Sequence, residues 1–174
     1  WFIGGRSLLA IVSPDSGDGR SRLAAQLAAT FAELGVDTLL VDADLRSPVQ
    51  HRLFGLPNRD GLADFLDGGR SRLARRGAHL TVLVAGKTGA DPLELLSRAR
   101  LKALISEAAT RYRVVLIDTP AAARGPDLQM FAALAGGAVV VARKGSADAR
   151  SLASLKRALA RCASRVVATV LNDR

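Results

Sequence analysis

Two groups of residues have the types and spacing to do chemistry. The first is Ser13-Pro14-Asp15-Ser16-Gly17-Asp18-Gly19-Arg20-Ser21-Arg22, a glycine-rich turn that runs directly into a helical pattern. Such a turn offers consecutive backbone N–H groups to an anion, and the helix N-terminus adds about half a positive charge. The full phosphate-loop pattern G-x-x-x-x-G-K-[ST] is broken twice, by Pro14 at the first glycine and Arg20 at the lysine. Ser21 keeps the hydroxyl that would ligate Mg²⁺. Arg20 and Arg22 fall in the first helical turn, where a cation opposes the macrodipole at roughly 0.3–1 kcal/mol each. Cations there make sense opposite anions, either a nucleotide's phosphates or the protein's own carboxylates.

The second group is acidic. Val41-Asp42-Ala43-Asp44-Leu45-Arg46 ends one apolar run and Val115-Leu116-Ile117-Asp118-Thr119-Pro120 ends another. A carboxylate at the C-terminal end of a buried parallel strand points into the crevice where such sheets bind ligands. Asp118 reads as a direct or indirect Mg²⁺ carboxylate. Asp42 and Asp44, on alternate positions, are expected to face one side, sharing a metal or activating a nucleophile.

Alternating strands and helices must position these groups. Near-continuous apolar runs at Leu8–Val12, Thr38–Asp42, Leu80–Ala85, Val114–Asp118, Ala138–Ala142 and Val166–Leu171 read as strands covered on both faces. Between them, Ser21 to Leu34 puts Leu23, Leu27, Phe31 and Leu34 on one helical stripe, with Gly35 as a stop. Leu101, Leu104, Ile105 and Ala108 form a second stripe, and Leu152, Leu155, Leu159 and Cys162 a third. The fold class is α/β, a doubly wound, mostly parallel sheet with helices on both faces. The irregular stretch from Leu45 to His79 has two short helix candidates (Pro48–Phe54, Gly61–Asp67) and an arginine-rich tail.

Composition limits the function classes. The 174 residues are 49% apolar, which fits one globular domain over 1–174 and excludes a disordered chain. The longest apolar run, Met130 to Ala142, is too short to span a membrane. A lone Cys162 and no export signal favour a reducing, cytoplasmic location, and a start at Trp1 reads as a piece of a longer protein. Net charge is +9, and only four of the 25 basic residues are lysine, which leaves 21 arginines. That surplus points to composition or to an anionic partner, while the 4% aromatic content argues against nucleic-acid stacking platforms. His51 and His79 lack metal-ligand spacing. Two further arginine groups, one at Arg70, Arg72, Arg75 and Arg76 and one at Arg150, Arg157 and Arg161, read as solvated faces or docking surfaces.

The set S-P-x-x-G-x-G-R-S, L-L-V-D-A-D-L-R-S-P, F-G-L-P-N-x-x-G-L-x-D-F-L and V-V-L-I-D-T-P resembles the bacterial tyrosine kinases. These are cytoplasmic phosphate-loop ATPases with the partitioning-ATPase fold, paired with polysaccharide chain-length determinants. The G-R-S loop and the ending Val170-Leu171-Asn172-Asp173 resemble the kinase-like partner of exosortase-linked exopolysaccharide clusters. The resemblance implies ATP/ADP and Mg²⁺ as cofactors, with Gly17, Asp18, Gly19, Arg20, Ser21 and Arg22 at the phosphates and Asn172 toward the adenine. It implies Ser21, Asp42 and Asp118 at the metal, and Arg20, Asp42 and Asp44 as the catalytic set. A membrane-embedded chain-length determinant is the implied partner, homo-oligomers are common in the family, and nucleic acid is not expected. Arg20 for lysine and Arg22 for a small hydroxyl residue depart from the pattern. The chain's one tyrosine, Tyr112, precedes a buried strand and reads as packing, so autophosphorylation of a tyrosine tail is not supported. Phosphoryl transfer is therefore expected to be weak. Two other readings stand beside this one: a non-catalytic regulatory subunit in which Arg20 pairs with Asp42 or Asp118, and a partitioning-type ATPase.

Overall fold

A computed structural model describes residues 1–87, 89–97, 99–146 and 148–173. Strand β1 (Leu8–Val12) sends Leu9 and Ile11 into one apolar cluster and Ala10 and Val12 into another. This period-two division marks a strand covered on both faces. Strand β2 (Thr38–Asp42) divides in the same way, with Leu39 and Val41 opposite Leu40. The remaining strands are β3 (Ala74–Arg76), β4 (Leu80–Leu83), β5 (Val114–Asp118), β6 (Gly137–Arg143) and β7 (Arg165–Asn172). They form one sheet in the order β3-β4-β2-β5-β1-β6-β7, parallel except for β3.

Helix α1 (Arg20–Glu33) covers one face, burying Ala24 and Ala28 and packing Leu23, Leu27 and Phe31 against the sheet. Helices α2 (Gln50–Leu53) and α3 (Leu62–Leu66) occupy the segment after β2, close to the expected positions. The other face is covered by α3, α4 (Pro92–Leu96), α5 (Ala99–Arg111), α6 (Asp127–Ala135) and α7 (Ala149–Arg161). The chain leaves β1 for β2 on one side of β5, and leaves β5 for β6 on the other side of β1. The crevice at the strand C-termini therefore opens where β1 and β5 meet.

Several expectations change. Leu34 is 72% exposed, because the helix ends at Glu33 and Gly35 (φ +78°) turns the chain away. The arginine-rich tail is not irregular. Ala74–Arg76 pairs antiparallel with β4 as the sheet's outer strand. The opposite edge strand, β7, is largely exposed and not covered on both faces. Helices α4 and α6 were not legible as separate elements. Tyr112 packs half-buried against the core, and Cys162 caps α7 with its thiol donating to the Leu159 carbonyl. Among the described residues, no helix is long and apolar enough to cross a membrane.

Candidate functional site

Gly17 and Gly19, at φ +92° and +93°, give the loop between β1 and α1 the left-handed turns that aim its N–H groups outward. Among the described residues, the N–H groups from Gly17 to Arg22 find no acceptor. They line a cavity of about 550 Å³, together with Gln26, Val49 and Asn172. Asn172, the last residue of β7, donates its amide to the Asp18 carbonyl at 3.0 Å. A Cβ on Gly19 would collide with that amide, so glycine is required there for space as well as for φ. Asp18 is buried beneath the loop: one carboxylate oxygen accepts from the Asp15 N–H at 2.9 Å and the other has no partner. Asp18 therefore shapes the loop from below, while its backbone faces the cavity.

Behind the loop lies a second, closed network. Arg20 is 7% exposed and its guanidinium points inward. Nε donates to Asp118 Oδ1 at 3.0 Å, one terminal nitrogen to Ser13 Oγ at 2.9 Å, and the other to Asp44 Oδ2 at 3.0 Å. Ser21 Oγ donates to the same Asp118 oxygen at 3.1 Å, and Gln50 Nε2 to the other at 2.8 Å. Gln50 also reaches the Ser21 carbonyl at 2.9 Å, fastening α2 to the start of α1. Asp44 Oδ1 accepts from the Ser47 N–H at 2.9 Å.

Asp42 stands beside Asp118 in the β2–β5 register and, among the described residues, meets no cation. It accepts only backbone N–H groups, from Gln50 at 2.9 Å, Val49 at 3.2 Å and Asp44 at 3.3 Å. Burial first, and then the neighbouring Asp118, push its carboxyl up to about 8. Burial raises Asp118 as well, but Arg20, Gln50 and Ser21 oppose that rise. Of this pair, Asp42 is the carboxyl without a cation beside it among the described residues, and it is the more readily protonated.

Ser21, Asp42 and Asp118 converge as expected, but their arrangement does not fit a metal ion. Both Asp118 oxygens, and both Asp42 oxygens, are committed to protein donors. An ion at about 2.1 Å from Asp118 Oδ1 would meet the Arg20 guanidinium already bound there. Asp42 and Asp44 do not share a ligand position either: one is held by backbone and the other by Arg20. Among the described residues, no cluster of three or more His, Cys, Asp or Glu side chains could hold a metal.

Residues to which the motifs assigned no role complete the site: Ser13, Gln50, and the Arg46–Asp127 pair. Arg46 Nε donates to Asp127 Oδ2 at 2.7 Å, tying the segment after β2 to the first residue of α6. Asp127 is 2% exposed, and its hydrogen bond raises the Arg46 pKa. His51 and His79 lie outside the site. His79 pairs with Asp37 on the surface at 2.9 Å.

Residues 9–172 match the family described as the CobQ/CobB/MinD/ParA nucleotide binding domain. The chain is 38% identical over 168 residues to the tyrosine-protein kinase YwqD of Bacillus subtilis, covering 94% of this chain and 71% of that protein. The chain belongs to the bacterial tyrosine kinase family. Within it, identity to the putative tyrosine-protein kinase CapB of Staphylococcus aureus is 33% over 171 residues, covering 96% of this chain and 75% of CapB. The kinase domain of the Escherichia coli tyrosine kinase ETK superposes with a TM-score of 0.91 at 27% identity, covering 97% of this chain and 68% of that one. The doubly wound sheet of this tyrosine-kinase-like domain is thus the family's phosphate-loop fold.

Proposed function

We propose that this tyrosine-kinase-like domain binds a nucleoside di- or triphosphate and serves exopolysaccharide synthesis and chain-length control, with little or no phosphoryl transfer. One observation carries the reading. The loop Gly17–Arg22 presents unpaired N–H groups to a cavity of about 550 Å³, while Arg22 stands exposed at its mouth. Phosphates would bind the N–H groups and Arg22, and the base would lie toward Asn172. ATP or ADP is the ligand of choice given the family. Weak transfer follows from the closed network, because Arg20, Asp44 and Asp118 satisfy one another and Asp42 keeps its proton. Titration of purified protein with ADP and ATP by calorimetry tests the reading. Absence of heat at millimolar nucleotide would sink it.

The partner proposed is a membrane-embedded chain-length determinant. Arg59, Arg72, Arg75 and Arg76 border a groove of about 270 Å³ beside the outer strand β3, a basic surface suited to an acidic cytoplasmic segment. Assembly with further copies and a place at the inner face of the membrane follow the same reading. A non-catalytic regulatory role is favoured by one specific contact, the Arg20–Asp118 ion pair at 3.0 Å. Asp44 is the second partner in place of Asp42. Phosphate release measured beside an Arg20→Lys variant separates the two: a large gain would mark a catalytic site held down by Arg20.

A further inference from the structure

Arg20 satisfies the groups that would otherwise receive a cation. Its planar fork spans Asp118 Oδ1, Ser13 Oγ and Asp44 Oδ2 at 3.0, 2.9 and 3.0 Å. Ser21 joins Arg20 on Asp118 Oδ1 at 3.1 Å, and Gln50 holds Oδ2 at 2.8 Å. We propose that this chain binds nucleoside polyphosphates without Mg²⁺, Arg20 standing as a fixed cation among Ser21, Asp44 and Asp118. The proposal rests on the nucleotide reading above and says in what form that ligand is taken.

Three features lead to it. A divalent ion on Asp118 Oδ1, the oxygen that faces Ser21, would have to displace the Arg20 Nε or the Ser21 hydroxyl, and would then lie against a buried positive charge with little solvent to screen it. The ligand's negative charge is met from the other side of the loop, by the unpaired N–H groups and by Arg22, which makes no ion pair among the described residues. Finally, the fit depends on guanidinium shape. A lysine ammonium is a compact point charge that cannot span three acceptors in one plane, so it would release Asp118 or Asp44.

Calorimetric titration of the whole chain with ADP and with ATP, in EDTA and in millimolar Mg²⁺, tests this. Wild-type dissociation constants should agree within about threefold between the two buffers. A loss of about tenfold or more in EDTA would overturn the proposal. In Arg20→Lys, Mg²⁺ should tighten binding by about tenfold or more, and a variant as indifferent to Mg²⁺ as the wild type would remove Arg20 as the cause. The wild-type comparison needs no variant, so misfolding of R20K leaves the test intact. No binding in either buffer removes the nucleotide reading and this proposal together, whereas Mg²⁺-dependent binding removes this proposal alone.

Discussion

Arg20 and Arg22 start the same helix two positions apart, yet one is buried among carboxylates while the other stands in solvent at the cavity mouth. At about 100° per residue, positions i and i+2 point to nearly opposite sides of a helix. Arg20 therefore faces the strand ends and Arg22 faces away. The same helix-dipole penalty applies to both. For Arg20 it is offset by two ion pairs at 3.0 Å, and for Arg22 by no ion pair among the described residues. The inner arginine holds the chain together, and the outer one keeps its charge available to a ligand.

The largest effect that would break this contrast is on stability. Arg20→Ala leaves Asp44 and Asp118 buried without their cation, and should cost about 3–5 kcal/mol in denaturant unfolding. A cost below about 1 kcal/mol would show that the network contributes little.

Next comes the pH response of the inner network. The Asp42 carboxyl goes from 3.8 in the unfolded chain to about 8 in the fold. Between those values the unfolded chain has lost a proton that the folded chain keeps, so stability falls as pH rises through that window and levels off above it. Asp42→Asn should flatten the decline by on the order of a few kcal/mol, whatever its effect on absolute stability. Chemical denaturation at several pH values measures the slope, and parallel curves for the two proteins would remove Asp42 as the titrating group.

Gln50→Ala tests the link between α2 and the loop. It removes donors to Asp118 and to the Ser21 carbonyl, at an expected cost of about 1–3 kcal/mol. Hydrogen exchange at the start of α1 should quicken. Unchanged exchange there would mean that Gln50 does not hold the helix.

The smallest stability effect belongs to Arg22→Ala, which should lie within about 0.5 kcal/mol of wild type. Its ADP affinity should nevertheless fall about threefold to tenfold by calorimetry. Equal affinity would leave the outer arginine without a role in binding and erase the contrast.

Much of this arrangement was legible beforehand because it is local. Apolar runs and helical stripes announced the alternation of strands and helices, and Gly17, Gly19 and Ser21 announced a loop built for anions. Asp42 and Asp118 were readable as strand-end carboxylates because both close apolar runs, and their side-by-side register follows from β2 lying next to β5. Other parts carry no local signal. Ser13 and Gln50 are ordinary polar residues whose importance comes only from what lies opposite. Asp127 is 81 positions from Arg46, a pairing that no spacing rule reaches. The edge strand β3 hid in an arginine-rich segment because its short run lacks apolar alternation and is held by β4.

The sequence by itself determined the fold class, the phosphate-type loop and the excess of arginine, since each depends on residue type and near-neighbour spacing. Whether Arg20 would turn toward a ligand or toward the protein depended on three acceptors brought together from just after β1, just after β2 and the last residue of β5. Only tertiary packing supplies that coincidence. A guanidinium buried among two carboxylates and a hydroxyl gains by desolvated, directional hydrogen bonds what it would not gain in solvent.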